Sequence, residues 1–70
     1  MRKLTICVKK IAENQFEVWC PSYGQFLITS TSEEEGMMKL KKEIKDYLAQ
    51  WPNQLKEFNE VSKSIRLKRL

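Results

Sequence analysis

The stretch from Ser32 to Trp51 constrains the fold most, because it has the pattern of one amphipathic helix. Apolar residues recur in it at spacings of three and four and form a single stripe: Met37, Leu40, Ile44, Tyr47, Leu48 and Trp51. A helix with one apolar stripe must bury that stripe against another element. A chain of 70 residues has room for one small core, so we expect a single domain over residues 1–70.

The ends of this helix are marked by polar and breaking residues. Ser32 is placed to be the N-cap of a capping box in which Glu35 reaches back to the cap. The acidic run Glu33–Glu35 also complements the positive end of the helix dipole. Pro52 predicts that the helix stops near Trp51. The predicted helix runs over about 33–51.

The residues before the helix alternate between apolar and polar, which is the period of a strand with one buried face. Three stretches follow this pattern or are bounded by turn residues, and they predict strands at about 3–10, 16–20 and 25–30. Together with the helix they predict an α+β fold, in which a three-stranded antiparallel sheet packs on one long helix in the order β-β-β-α. The apolar faces of the first two strands are Leu4, Ile6 and Val8, and Phe16, Val18 and Cys20.

A hairpin loop over 12–14 is expected between the first two strands. Asn14 tolerates the left-handed backbone conformation that the last position of such a loop favours. Sliding the register by one residue would turn buried side chains towards solvent, so the register is well specified. The predicted cross-strand pairs are Val8 with Val18, Ile6 with Cys20, and Lys9 with Glu17.

The run Cys20-Pro21 raises the question of whether the thiol is reactive or simply ends a strand. In the predicted register Cys20 faces the core and Cys7 the opposite side of the sheet, so the two cannot form a disulfide. The sequence places no cation or helix terminus beside Cys20 that would lower its pKa. A structural cysteine at a strand end, followed by a turn up to Gly24, is the favoured interpretation, and a reactive thiol is the alternative.

The segment 53–70 allows two interpretations. Its apolar spacing fits a short second helix, and the alternation in 64–70 fits a basic C-terminal edge strand. The alternative is one continuous helix from Asn53 onwards. We favour the strand.

The composition argues against catalysis and against a membrane. The chain has no histidine, which excludes Cys-His and Ser-His nucleophilic pairs and the commonest metal ligand. Its two cysteines fall short of a tetrahedral zinc site. We therefore expect no enzyme activity, no catalytic residue, no metal and no cofactor. No apolar run has the length of a signal peptide or of a membrane span, so we expect a cytoplasmic protein without a membrane partner.

The order of these motifs resembles the HicB-type antitoxins of bacterial toxin–antitoxin pairs, in their partial ribonuclease-H-like (HicB-like) domain. The resemblance covers about residues 3–51. The matching positions are Phe16, Val18, Cys20-Pro21 and Gly24, then Glu34-Glu35, and then Leu40, Glu43, Ile44, Tyr47 and Leu48. Ser30-Thr31-Ser32 stands in place of the family's Gly-Asp-Thr box, and Gly36 stands where the family has alanine. The family's usual C-terminal DNA-binding segment has no room before Leu70, so we expect a diverged form that lacks it. A truncated antitoxin, or a stand-alone descendant with another partner, is the alternative.

The resemblance implies three antiparallel strands, a long helix and usually a further strand. It also implies a non-enzymatic protein-binding module, which neutralises a small ribonuclease toxin by covering its active site. The expected partner is a small basic protein encoded beside this one. A partner that is a second copy of this chain, giving a homodimer or a homo-oligomeric accessory subunit, is an alternative.

Two surfaces are candidates for binding. The sheet face away from the helix carries Cys7, Trp19 and Leu27, and an exposed aromatic residue there indicates a protein contact or a dimer. The equally weighted alternative is that Trp19 folds over its neighbours or that the terminal segment covers it. The second is a basic surface: Lys3, Lys9, Lys10, Arg66, Lys68 and Arg69, extended by Arg2 and Lys63. These cations converge if the first and last strands pair. They indicate contact with nucleic acid or with an acidic patch on a protein, and the plainer interpretation is protection of edge strands against aggregation.

Overall fold

The computed structural model describes residues 3–70, which form an α+β fold of four strands and two α-helices. The elements are β1 (Leu4–Ala12), β2 (Gln15–Trp19), β3 (Leu27–Ser30), α1 (Glu33–Leu48), α2 (Pro52–Val61) and β4 (Ile65–Arg69). A single 3-10 turn, Pro21–Tyr23, lies between β2 and β3. Arg2, one of the predicted basic residues, lies outside the described residues.

The β1–β2 hairpin has the predicted register. Val8 pairs with Val18, and Lys9 pairs with Glu17. Asn14 adopts a left-handed φ of 59°, as the turn requires. The register shifts between Lys10 and Ala12, so the hairpin contains a bulge that the sequence pattern did not indicate.

Just beyond this ladder, β2 ends at Trp19, so the predicted pairing of Ile6 with Cys20 falls outside it. Both side chains are nevertheless fully buried in the core.

The three predicted antiparallel strands are present. In 53–70 the chain forms a short second helix and then a C-terminal edge strand, as favoured, and not one continuous helix. The direction of that last strand was not predicted. The four strands lie in the order β3-β2-β1-β4, and β4 runs parallel to β1, pairing Leu4 with Ile65 and Val8 with Arg69. The sheet is therefore mixed. Parallel neighbours need a long crossover. The segment from β3 to β4, which contains both helices, carries the chain from one edge of the sheet to the other.

The helix predicted over 33–51 is shorter than expected. Its start is confirmed, because the Ser32 hydroxyl accepts a hydrogen bond from the backbone N–H of Glu35 at 3.2 Å. Its end is at Leu48, and Trp51 is instead the N-cap of α2, with an extended φ of −129°. The physical reason is Pro52, which disfavours the helical conformation at the residue before it and begins α2 at its first position.

The predicted return contact of Glu35 is also different. Its carboxylate accepts a hydrogen bond from the Thr31 hydroxyl at 3.1 Å and pairs with Lys39 at 3.0 Å. Both contacts lower the pKa of Glu35, the hydrogen bond with Lys39 most.

The core lies between the sheet and the helices. Its fully or almost fully buried members are Leu4, Ile6, Val8, Val18, Cys20, Leu40, Ile44, Leu48 and Phe58. Phe58 comes from α2 and meets Tyr23 edge-to-face, with ring centroids 5.6 Å apart. Tyr47 and Trp51, predicted as part of the helix stripe, are each 40% exposed because they stack on each other at the rim of the core.

The closest approach of helix to sheet is at Gly36, which is buried in the first turns of α1. A Cβ atom at this position would lie 2.5 Å from Cγ2 of Val18 and 2.6 Å from Oγ of Ser30. Real Cβ atoms do not come this close to other heavy atoms. Gly36 is therefore required for α1 to rest directly on β2 and β3.

We predict that Gly36→Ala lowers the free energy of unfolding by about 1–3 kcal/mol, because the added methyl overpacks this contact and outweighs the gain in helix propensity. Urea unfolding followed by circular dichroism measures it. Gly24→Ala is the matched control, since within residues 3–70 a Cβ there would meet the Pro21 carbonyl oxygen alone, at 3.9 Å. Equal midpoints for the two variants would contradict the close contact.

Candidate functional site

The sheet has two unlike faces. Alternation along each strand turns the core residues towards the helices and the intervening residues away from them. Among residues 3–70, no helix packs on this second side, which we call the open face. Its side chains are Thr5, Cys7, Lys9, Glu17, Trp19, Leu27, Thr29, Arg66 and Lys68.

The three residues predicted for partner binding form one line across the open face. Cys7 pairs with Trp19, and Trp19 pairs with Leu27, so they occupy one row on three adjacent strands. We call Leu27, Trp19 and Cys7 the apolar row. Leu27 is 58% exposed and Trp19 is half-buried, whereas Cys7 is only 6% exposed. Leu27 and Trp19 can therefore contact a partner, and Cys7 forms the floor between larger neighbours.

The predicted basic surface is divided between the two faces. Because β1 and β4 pair in parallel, Arg66 lies beside Thr5 and Lys68 beside Cys7, both on the open face. Lys9 lies on the same face, beside Glu17. Lys3 is exposed just before β1.

Lys10 and Arg69 belong to the other face. Lys10 pairs with Phe16, and Arg69 pairs with Val8, so both follow the alternation of the core side. The six predicted cations therefore do not form one surface.

Arg69 is occupied by an intramolecular contact. Its guanidinium Nε lies 3.1 Å from Oε2 of Glu33 and its second nitrogen, Nη2, 3.1 Å from Oε1, a bidentate geometry. The hydrogen bonds to Glu33 raise the pKa of Arg69 further above its ordinary value. This exposed pair links the end of β4 to the start of α1, so the Arg69 guanidinium is engaged within the protein.

A hollow of about 400 Å³ opens beside β4 on the open face. It is lined by Thr5, Arg66, Leu67 and Lys68, and we call it the basic hollow. Arg66 and Lys68 form no salt bridge with any carboxylate of residues 3–70. The sequence did not point to Thr5, because only the parallel register of β4 brings its hydroxyl beside these cations.

A second group that sequence reasoning missed is aromatic. Phe26 meets Tyr47, and Tyr47 meets Trp51, in edge-to-face contacts of 5.6 and 5.1 Å between ring centroids. The group lies where the chain enters β3 and α1 ends. Phe26 packs against the core, and the other two rings lie half-exposed at its rim.

Both cysteines are buried and free. Burial raises the pKa of the Cys20 thiol, and hydrogen bonds from the backbone of Ser22 and Tyr23 oppose this shift without cancelling it. A raised pKa leaves less of the nucleophilic thiolate at neutral pH. Cys20 is therefore a core residue directly after β2, which agrees with the favoured interpretation of a structural cysteine.

A metal site and a membrane-spanning helix would each show a recognisable pattern in residues 3–70. Within that range no three His, Cys, Asp or Glu side chains gather in a way that could hold a metal ion. None of the helices in the described range is long and apolar enough to cross a membrane.

Comparison with models of protein families, with curated proteins and with solved structures finds no match for the chain. The geometry of the open face and its charges therefore carry the functional inference.

We predict that the Cys20 thiol, isolated in a Cys7→Ala variant, reacts with iodoacetamide at least about 100-fold more slowly in the native state than in guanidinium, because reaction requires opening of the core. Mass spectrometry over time measures it. Comparable native and denatured rates would show that the thiol is accessible.

Proposed function

We propose that this chain is a non-catalytic, antitoxin-like protein-binding module, which neutralises a small ribonuclease toxin by direct binding through the open face. The observation that carries the proposal is the apolar row, which lies on a face that no helix of residues 3–70 covers. The resemblance to HicB-type antitoxins supplies the toxin as the partner class.

The apolar row has the properties of a contact surface. Tryptophan is enriched among the residues that dominate binding energy, because it buries a large rigid area. Leu27 keeps 58% of its surface in solvent, which a partner could cover. The sheet holds both side chains on a rigid backbone, so little conformational entropy is lost when they are covered.

The helix side chains support this face without touching it. Leu40, Ile44 and Leu48 are buried against the other side of the sheet. In the proposal they are scaffold, and variants at these positions act through folding. The functional residues are Trp19 and Leu27, with Cys7 as the floor.

A second candidate function is binding of single-stranded nucleic acid. Lys68 lies in the same row as Trp19, and Lys9 and Arg66 lie in neighbouring rows, which combines an aromatic surface with free cations. Fluorescence anisotropy with a short single-stranded RNA tests it. Affinity that falls steeply with salt would favour this function, and no binding at low salt would exclude it.

A homodimer through the open face is less favoured by the charges. Each copy carries a net charge of +4, and face-to-face contact would bring Lys9, Arg66 and Lys68 of both copies together. Light scattering separates a dimer from a monomer.

We predict that co-expression with the small protein encoded beside this one gives a complex on size exclusion, and that Trp19→Ala weakens it at least about 10-fold, or ~1.4 kcal/mol. Titration calorimetry measures the affinity. Met38→Ala is the matched control, because Met38 is 70% exposed on α1, away from the open face.

The proposal fails if the two proteins elute separately. It also fails if Met38→Ala weakens the complex as much as Trp19→Ala does, since the contact would then not be on the open face.

A further inference from the structure

We infer that the basic hollow is a subsite for a carboxylate of the protein partner, held by Thr5, Arg66 and Lys68. The inference rests on the proposed function and specifies what the partner presents. The net charge of the chain alone would not say where on its surface a carboxylate binds, whereas the register of the sheet identifies the basic hollow.

The register brings three donors together. Thr5 and Arg66 are paired on adjacent strands, and Lys68 follows Arg66 by two residues, so all three point to the open face. The Cα atoms of Arg66 and Lys68, two residues apart on β4, are about 7 Å apart. A hydroxyl, a guanidinium and an ammonium group therefore line one concave site of about 400 Å³.

Residues 3–70 supply no counter-charge to the hollow, because none of its lining residues in that range is acidic. Glu17, the carboxylate of the open face, lies on β2 beside Lys9, about 10 Å or two strand spacings from β4. The repulsion between Arg66 and Lys68 is therefore not relieved within residues 3–70, and an anion in the hollow would relieve it.

Arg69 on the same strand shows the contact that Arg66 lacks. Its guanidinium faces the helix side, where the Glu33 carboxylate accepts a bidentate pair at 3.1 Å from each of two nitrogens. Arg66 presents the same fork to solvent on the other face. Planar carboxylates match this fork well.

The surroundings favour a protein carboxylate over a phosphate. Lys68 continues the apolar row, so the line across the sheet reads Leu27, Trp19, Cys7, Lys68. Leu27 is aliphatic and exposed, and it offers no stacking surface to a base. A partner that fits this line places an apolar side chain over Leu27 and Trp19 and an acidic one at Lys68, about 14 Å or three strand spacings from Leu27. Its contact patch is acidic even if its net charge is basic.

The test uses amide chemical shifts of the ¹⁵N-labelled full chain at low salt, with poly-L-glutamate as the carboxylate probe and oligouridylate as the phosphate probe. We expect polyglutamate to shift the amides of Thr5, Arg66 and Lys68 saturably. The double variant Arg66→Gln/Lys68→Gln should weaken this binding at least about 10-fold. Lys42→Gln/Lys45→Gln, which removes the same charge from the exposed side of α1, should change it less than about twofold.

Two results would overturn the subsite. One is polyglutamate binding that both double variants weaken equally, which would reflect net charge alone. The other is a shift of these amides by oligouridylate and not by polyglutamate, which would assign the hollow to phosphate.

The subsite and the proposed function fail separately. A partner complex that is weakened by Trp19→Ala but unaffected by Arg66→Gln/Lys68→Gln would end the subsite and leave the proposed function standing. Polyglutamate binding at the hollow without any partner complex would exclude the proposed function and leave the carboxylate subsite standing.

Discussion

The contact between Gly36 of α1 and Val18 of β2 is the constraint on which the rest of the structure depends. Because no side chain separates the helix from the sheet there, α1 lies close enough to bury Leu40 and Ile44 completely. One face of the sheet is thereby committed to the core. The intervening residues along each strand, Trp19 among them, lie on the open face. Packing on one side of the sheet therefore determines which side chains the other side exposes.

The second constraint is the parallel docking of β4. The backbone N–H of Leu4 donates to the Ser64 carbonyl at 2.9 Å, that of Leu70 donates to the Val8 carbonyl at 2.8 Å, and Arg69 is clamped by Glu33. These contacts fix β4 in a register that alternates its cations between the two faces. One cation, Arg69, pairs with Glu33, while Arg66 and Lys68 lie on the open face without a salt bridge to residues 3–70.

Local signals in the sequence predicted local structure well. The left-handed turn residue Asn14, the cap at Ser32 and the hairpin register all depend on neighbours within a few residues. The break after Leu48 was missed because the apolar spacing continues to Trp51, although Pro52 marked the start of a new helix. The parallel register of β4, and with it the basic hollow, could not be predicted, since it depends on where the two helices carry the chain.

The central claim is that the open face, anchored by Trp19, is where this chain meets another protein. The most direct measurement is a map of amide chemical-shift changes in the labelled chain as the proposed partner, a small toxin-like protein, is added. The account predicts that the changes cluster at Cys7, Trp19, Leu27 and Lys68. Changes confined to the outer side of α1, around Met38, or no changes at all, would contradict it.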